Sequence, residues 1–166
     1  MTVEDKIKFA EYFFDKIKDD KNREDFLPNL GAFLSETRGI ADYLLEDYNL
    51  KFGPGILLND VLSKKPFKDK ECDKMNLDAL KFISTYNSKF KKLRQNKLAN
   101  YLFKKRDTNV HKKSEQVQGN FSRGTTDSVT WKFKDYDNTD VVSLCEEFLK
   151  MMKNFVNDLK PDDGLL

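Results

Sequence analysis

Apolar side chains recur every three or four residues along most of this chain, and this period constrains the fold more than any other feature of the sequence. The first such segment predicts a helix over Val3–Asp19, with Thr2 as its N-cap because a Thr hydroxyl accepts a hydrogen bond from the first turn. The residues of its predicted buried face stand at i, i+3, i+4 and i+7: Ala10, Phe13, Phe14 and Ile17. A helix with one apolar face has to pack against other elements, so we expect a helical core.

The same period predicts three further long helices. Their expected bounds are about Glu24–Tyr48, Asn76–Lys105 and Asp140–Leu159. The pattern over Asn76–Lys105 is less regular than the others, which leaves open a split near Ser84–Ser88 and an extension through His111. We place Pro28 in the first turn of the second helix, where its missing N–H costs no helical hydrogen bond.

A short segment before the last helix has the period of a β-strand instead. Ser128–Tyr136 alternates β-forming and polar side chains, and Asp137-Asn138-Thr139 follows as a turn that also caps the helix. The glycine-bearing stretch Lys113–Arg123 is predicted as a loop, and the helical pattern also breaks over Asn49–Lys74. The expected fold is therefore all-α, a four- to five-helix up-and-down bundle with a small β-hairpin or strand insert before the last helix, in one domain spanning residues 1–166.

The amino-acid composition limits the classes of protein to which this chain can belong. Of the 166 residues, 39% are apolar and 14 are Phe, which suffices for a core although 35% are charged. The two cysteines, Cys72 and Cys145, lie too far apart in sequence for a CxxC metal site, and no disulfide framework is expected. The first residues lack a signal-peptide pattern and no apolar run reaches membrane-spanning length. We therefore expect a cytoplasmic protein without a metal, a cofactor or a membrane contact.

Positive charge is concentrated in one segment. Lys89–Lys113 holds ten of the 30 Lys and Arg residues, and Asp107 is its only acid. Such a field attracts polyanions, and aromatic ring faces nearby offer stacking surfaces for unpaired bases. The residues that we predict to contact RNA are Lys104, Lys105, Lys112, Lys113 and Tyr101. The alternative is a solvated helix face whose acidic neighbours come from elsewhere in the fold.

Near the end of this segment lies the hexapeptide Arg106-Asp107-Thr108-Asn109-Val110-His111, which contains the only histidine of the chain. Histidine exchanges protons near neutral pH, and the arginine fork binds phosphate. On a helix Asp107 and His111 are i and i+4, so the carboxylate can orient the imidazole ring and raise its basicity. An acid–base group, an orienting carboxylate and a phosphate clamp are what metal-independent RNA cleavage needs. The candidate catalytic residues are therefore His111, Arg106 and Asp107.

This hexapeptide in a helical bundle resembles the motif of the HEPN superfamily, in which Arg, a polar residue and, a few positions later, His stand near the end of a long helix. The segment Ala32-Phe33-Leu34-Ser35-Glu36-Thr37-Arg38 resembles the second helix of a group of bacterial and archaeal HEPN-like proteins. The resemblance covers roughly Phe9 to Lys113. It implies a metal-independent endoribonuclease, often the toxin of a toxin–antitoxin or defence system, and a homodimer whose two motifs meet at the interface. A separate antitoxin or nucleotidyltransferase-type chain is the partner that it suggests.

The single histidine independently favours a dimer. In-line cleavage needs both a base and an acid, and a two-fold axis near the motif would supply a second His111. Two other interpretations stay open. In one the chain is a non-catalytic helical module that binds RNA or a partner protein, because some HEPN-like proteins lack activity. In the other the hexapeptide only caps a helix, and Arg106 forms a structural salt bridge with an acid of the second helix such as Glu36.

Two further features have alternative roles. Arg38 either forms a structural ion pair, which we favour, or assists phosphate binding near the hexapeptide. An aromatic cluster in the β segment is expected to pack over the end of the bundle rather than to stack on bases: Trp131, Phe133 and Tyr136.

Overall fold

A computed structural model describes residues 1–52, 77–109, 117–122 and 128–159. The elements in these ranges are α1 (Val3–Asp19), α2 (Arg23–Phe52), α3 (Leu77–Gln95), α4 (Lys97–Asn109), β1 (Val117–Ser122), β2 (Ser128–Phe133), β3 (Thr139–Asp140) and α5 (Val141–Asn157). The prediction of a helical bundle with a small β insert before the last helix is confirmed. None of the helices in these ranges is long and apolar enough to cross a membrane.

Helices α1 and α2 form an antiparallel pair. Thr2 caps α1 as predicted, and Asp5 completes a capping box because its carboxylate accepts a hydrogen bond from the Thr2 N–H at 2.9 Å. The Val3 N–H donates to Asp47 Oδ2 at 2.8 Å, at the far end of α2. The buried face of α1 is also confirmed, since Ala10, Phe14 and Ile17 are buried and Phe13 is half-buried against the core.

The start of α2 differs slightly from the prediction. The Asn22 side chain accepts a hydrogen bond from the Asp25 N–H at 2.8 Å and donates one to Asp25 Oδ2, so the helix begins at Arg23. Pro28 is the sixth residue of this helix and therefore lies just beyond the first turn, in which we placed it. Its position removes one backbone hydrogen bond, a cost that the buried apolar stripe of this 30-residue helix offsets.

The segment predicted as one long third helix consists of two helices that meet at Asn96. The Asn96 N–H closes α3 by donating to the carbonyl oxygens of Lys92 and Leu93, and Asn96 Oδ1 accepts from the Ala99 N–H at 3.0 Å. One asparagine therefore ends a helix and caps the next, which is a common use of this side chain. The sequence left open a kink or a split near residues 84–88, and α3 is continuous there.

The β insert is a three-stranded antiparallel sheet in the order β1-β2-β3. The expected strand is present as β2, whereas β1 lies in a stretch that we predicted as a loop. Gly119 of β1 pairs with Trp131 of β2, and a Cβ atom at Gly119 would lie 2.7 Å from Trp131 Cζ3. The strand therefore requires a glycine at position 119, although in the sequence this glycine suggested a loop.

The turn after β2 positions the last helix. Asp137 and Asn138 both have a φ of 52°, in the left-handed region that Asn and Asp tolerate better than other side chains. The predicted turn is confirmed, but the cap of α5 is Asp140, whose carboxylate accepts from the Ser143 N–H at 2.8 Å. Thr139, which we expected to share that role, lies in β3.

An aromatic core joins α2, α3, α4 and α5. The Tyr86 ring is fully buried and packs edge-on against Phe155, and its hydroxyl donates to the Ala41 carbonyl oxygen at 3.2 Å. Phe103 packs edge-on against Phe148, which connects α4 to α5. These contacts fix where the last turn of α4, with the first residues of the hexapeptide, lies against α2.

Candidate functional site

The hexapeptide begins in the last turn of α4. Arg106 and the backbone of Asp107 belong to this helix, which ends at Asn109. The Asp107 side chain lies outside the described part of the chain, as do His111, Lys112 and Lys113. The expected contact between Asp107 and His111 therefore stays a prediction, and the geometry of the site rests on Arg106 and its neighbours.

Arg106 lies at the interface between α4 and α2, beside Asp42. The Arg106 side chain is half-buried and its Nε atom is fully enclosed by protein. On α2, Arg38, Asp42 and Glu46 follow one another at intervals of four residues and so share one helix face. Two guanidinium groups, one from each helix, act on the Asp42 carboxyl group.

The Asp42 carboxyl group is protonated more readily than an ordinary aspartate. Burial is the largest influence and raises its pKa, the guanidinium groups of Arg38 and Arg106 oppose the rise, and the Glu46 carboxylate adds to it. The net result is a raised pKa. Burial therefore outweighs the two nearby guanidinium groups at this carboxyl group.

Asp42 is the residue that our sequence reasoning missed. For the structural alternative we named Glu36 as one example of a second-helix acid that pairs with Arg106. Glu36 instead accepts from Lys6 Nζ of α1 at 2.7 Å, and the second-helix acid on which Arg106 acts is Asp42. The signal was a charge at every fourth position of a mostly buried helix, at residues 38, 42 and 46. Such spacing indicates a row of polar side chains on a packed face of the helix.

Lys105, which we predicted to contact RNA, is buried. Only 5% of the residue is exposed, and its Nζ lies 2.6 Å from Asp135 Oδ2 in the turn after β2. The same ammonium group lies 5.3 Å from the centre of the Tyr101 ring and 5.6 Å from that of Phe133. This placement does not suit a contact with RNA, because the Lys105 ammonium group is enclosed by protein and already paired with Asp135.

Tyr101 belongs to the same internal network. Its hydroxyl donates to Asp135 Oδ1 at 2.7 Å, and its ring lies 4.4 Å from that of Tyr136. Burial, followed by the hydrogen bond to Asp135, raises the pKa of Tyr101. Burial also raises the pKa of Asp135, but the hydrogen bonds from Lys105 and Tyr101 outweigh it and lower the pKa overall. Of the five predicted RNA contacts, Lys104 alone is exposed within the described ranges.

The aromatic cluster of the β insert packs as predicted. Trp131 is 3% exposed, stacks on Phe26 with ring centres 4.4 Å apart, and donates its indole N–H to the Asp20 carbonyl oxygen. Phe133 is fully buried and Tyr136 is half-buried. The cluster therefore fastens the sheet to the bundle.

A second group of cations lies at the other end of α4. We call it the basic corner, and it consists of four exposed side chains at the junction of α3 and α4: Lys91, Lys92, Arg94 and Lys97. No ion pair joins any of these four to a described residue. Lys89, one turn earlier, differs because its Nζ pairs with Asp158 of the α5 end at 2.6 Å.

Within the described ranges, no three side chains of the kinds that ligate metals form a group. Comparison with family models, curated proteins and solved structures finds no match to this chain. The functional argument therefore depends on the two ends of α4 and on the resemblance of the hexapeptide.

Proposed function

We propose that this protein is a metal-independent endoribonuclease of the HEPN type that cleaves RNA through His111 and Arg106. The observation that supports the proposal is the place of Arg106, which is half-buried in the last turn of the helix that leads into His111, while the Arg38 guanidinium of α2 acts with it on the Asp42 carboxyl group. Two guanidinium groups produce the positive potential that a pentacoordinate phosphorus with extra negative charge requires. The setting that we propose for this activity is the cytoplasm.

The proposed reaction is an in-line transesterification. His111 removes the proton of a ribose 2′-OH, the 2′-oxygen attacks the adjacent phosphorus, and the bond from phosphorus to the 5′-oxygen breaks. The leaving oxygen takes a proton, so the products are a 2′,3′-cyclic phosphate and a free 5′-OH. Arg106 stabilises the charge on the phosphate oxygens, and Asp107 orients the His111 ring.

A homodimer completes the proposed site. Base and acid have to be separate groups, and the chain has one histidine. A two-fold axis near the end of α4 would bring His111 and Arg106 from both copies to each bound phosphate. As a toxin or defence component, such an enzyme would be held inactive by an antitoxin or nucleotidyltransferase-type chain that covers this end.

The test is cleavage of a mixed-sequence RNA in EDTA by the wild-type protein and by His111→Ala. We expect the wild-type protein to release fragments with 2′,3′-cyclic phosphate ends and the variant to lose about 10²–10⁴-fold in rate, the usual contribution of a general acid or base. Lys81→Ala, an exposed lysine on α3, is the matched control and should cleave normally. Equal cleavage by wild type and His111→Ala would refute the role of His111.

The dimer has its own test. Wild-type protein is mixed with increasing His111→Ala protein, exchanged by mild denaturation and refolding, and assayed at constant wild-type concentration. A site shared by two chains predicts falling activity as mixed dimers form, whereas a site within one chain predicts constant activity. Light scattering on the same samples gives the mass of the assembly.

The second candidate is a non-catalytic helical module that binds RNA or a partner protein. The observation that favours it is the basic corner, whose four cations are exposed and which includes Lys97, nine residues before Arg106 on α4. RNA binding by a folded wild-type protein that cleaves no RNA would support this candidate over the nuclease.

A further inference from the structure

Among the described residues, no acidic side chain neutralises the charge of the basic corner. From Ala79 to Arg106 the chain contains no acid, and the four cations of the corner fall within seven residues of one another. All four are exposed and have no ion-pair partner among the described residues. Like charges this close repel one another, so the bare surface carries an electrostatic cost that a bound polyanion would remove.

Helix stability explains only part of the corner. Cations near the last turn of α3 interact favourably with its dipole, which accounts for Lys92 and Arg94. Lys97 opens α4, where a cation is unfavourable and where no acid balances it. Ring contacts hold two of the cations in place, with the Arg94 guanidinium 6.0 Å from the Phe90 ring centre and Lys97 Nζ 5.4 Å from that of Tyr136.

The surface suits a hydrophilic polyanion better than a membrane. Binding to a bilayer usually combines cations with exposed apolar side chains that enter the lipid. Large exposed apolar residues of the described ranges lie elsewhere, on α1, on α2 and at the first residue: Met1, Phe9, Tyr12 and Leu50. Closely spaced cations with no large exposed apolar side chain among them fit a chain of phosphates.

We propose that the basic corner binds the phosphate backbone of RNA and supplies affinity for the substrate at a distance from the cleavage site. The choice of RNA rests on the function proposed above. Lys97 and Arg106 are nine residues apart on α4, which is about 14 Å along the helix axis. An RNA strand that occupies both places has to span several nucleotides, so the shortest substrates reach only one of them.

The experiment measures binding of a fluorescently labelled single-stranded RNA to His111→Ala protein, in which turnover is suppressed. The corner variant carries K91Q, K92Q, R94Q and K97Q. The matched control carries K8Q, K21Q, K81Q and K150Q, which remove the same charge from exposed lysines elsewhere. Thermal unfolding of both variants checks that they are folded.

We expect the corner variant to bind RNA about 10–100-fold more weakly near 0.1 M salt and the control to bind almost as tightly as the parent protein. The slope of log K against log salt should become about three units shallower, since four phosphate contacts on a single strand contribute about 0.7 each. The single variants Lys91→Gln and Lys97→Gln should each change that slope by about 0.7.

Equal losses in the corner variant and the control would overturn the proposal, because the effect would then be one of net charge. Unchanged binding by the corner variant would overturn it as well. Binding to phosphatidylserine vesicles or to polyglutamate through the same four residues, without binding to RNA, would assign the corner to another partner. A failed cleavage assay refutes the nuclease alone, since RNA binding at the corner is measured in a protein that does not cleave.

Discussion

The positively charged side chains at the two ends of α4 differ in their exposure to solvent and in their ion pairing. At its first residue the basic corner exposes Lys97 and its three neighbours to solvent, without an ion-pair partner among the described residues. In its last two turns Lys105 is buried against Asp135, and Arg106 is half-buried beside Asp42. Both groups belong to one stretch of sequence without a single acid.

The difference shows that the burial and pairing of a cation in the fold determine which contacts it can make. A buried cation is tolerated only with a nearby carboxylate, and here the carboxylates come from the turn after β2 and from α2. Arg106 is half-buried and so held in place, which suits stabilisation of one phosphate in a transition state, whereas Lys105 is occupied by its internal ion pair with Asp135. Those at the corner remain exposed and suit weaker, additive contacts with a polyanion.

The largest expected effect is on the rate of RNA cleavage, and it distinguishes Arg106 from Arg94. Arg106→Lys keeps the charge but loses the planar fork, and we expect RNA cleavage about 10²-fold slower, comparable with the removal of one donor to a developing charge. Arg94→Lys at the corner should leave the single-turnover rate unchanged. The measurement is the rate with saturating protein, after urea unfolding has shown both variants to be folded. Equal rates for the two variants would remove Arg106 from the mechanism.

The next effect concerns stability at the buried end. Asp135→Asn leaves the Lys105 charge uncompensated, and we expect a loss of about 2 kcal/mol in the free energy of unfolding, between the values for exposed and buried pairs. Asp158→Asn breaks the more exposed pair with Lys89 and should cost about 0.5 kcal/mol or less. Urea unfolding at neutral pH measures both losses. Similar losses would mean that the burial of Lys105 adds nothing to the strength of its ion pair.

The pH dependence of the same variant follows from the lowered pKa of Asp135. A depressed pKa contributes stability that is present above the ordinary value of 3.8 and is lost as pH falls through the folded-state value. The difference in unfolding free energy between wild type and Asp135→Asn should therefore be full at pH 6 and shrink at pH 3. A difference that grows on acidification would contradict the assignment.

A smaller effect on stability is expected from a substitution in the sheet that leads into the turn with Asp135. Gly119→Ala places a Cβ atom against the Trp131 ring, and we expect a loss of about 1–2 kcal/mol from overpacking. Gly31→Ala on α2 meets nothing within 4 Å and should gain about 0.5–1 kcal/mol from helix propensity. Thermal unfolding tests both signs, and a stabilising Gly119→Ala would show that the sheet does not need this glycine.

The smallest effect concerns Asp42. Because its pKa is raised in the folded protein, ionisation of its carboxyl group lowers stability as pH rises above 3.8 through the folded-state value. Asp42→Asn removes this penalty, so the variant should gain stability relative to wild type between pH 3 and pH 7. Urea unfolding at the two pH values measures the change. A relative loss over that interval would mean that the arginines, and not burial, dominate the site.

Local sequence patterns predicted much of the fold. The apolar stripe and Thr2 defined α1, and the alternating residues defined β2, because these signals arise within one element. The patterns did not reveal β1, whose Gly119 is required by a contact with Trp131, or the break at Asn96, where one polar side chain serves two helices. Both depend on a partner or a cap that hydrophobic periodicity does not register.

The candidate site could be predicted only in part, because it also depends on contacts between elements. The sequence led to Arg106 and suggested Arg38 near it, and both act on one carboxyl group in the fold. It did not distinguish Lys105 from the exposed lysines, because Asp135 lies 30 residues further along the chain. Charge in a segment can be counted from sequence, whereas its neutralisation depends on which elements pack together.

The most direct test of the division between the two ends of α4 is a single-turnover cleavage assay over a range of protein concentrations. We predict that His111→Ala lowers the maximal rate about 10²–10⁴-fold at an unchanged half-saturating concentration. The four-fold corner variant should raise that concentration about 10–100-fold and keep the wild-type maximal rate. A corner variant that loses maximal rate, or a His111 variant that cleaves at the wild-type rate, would contradict the account.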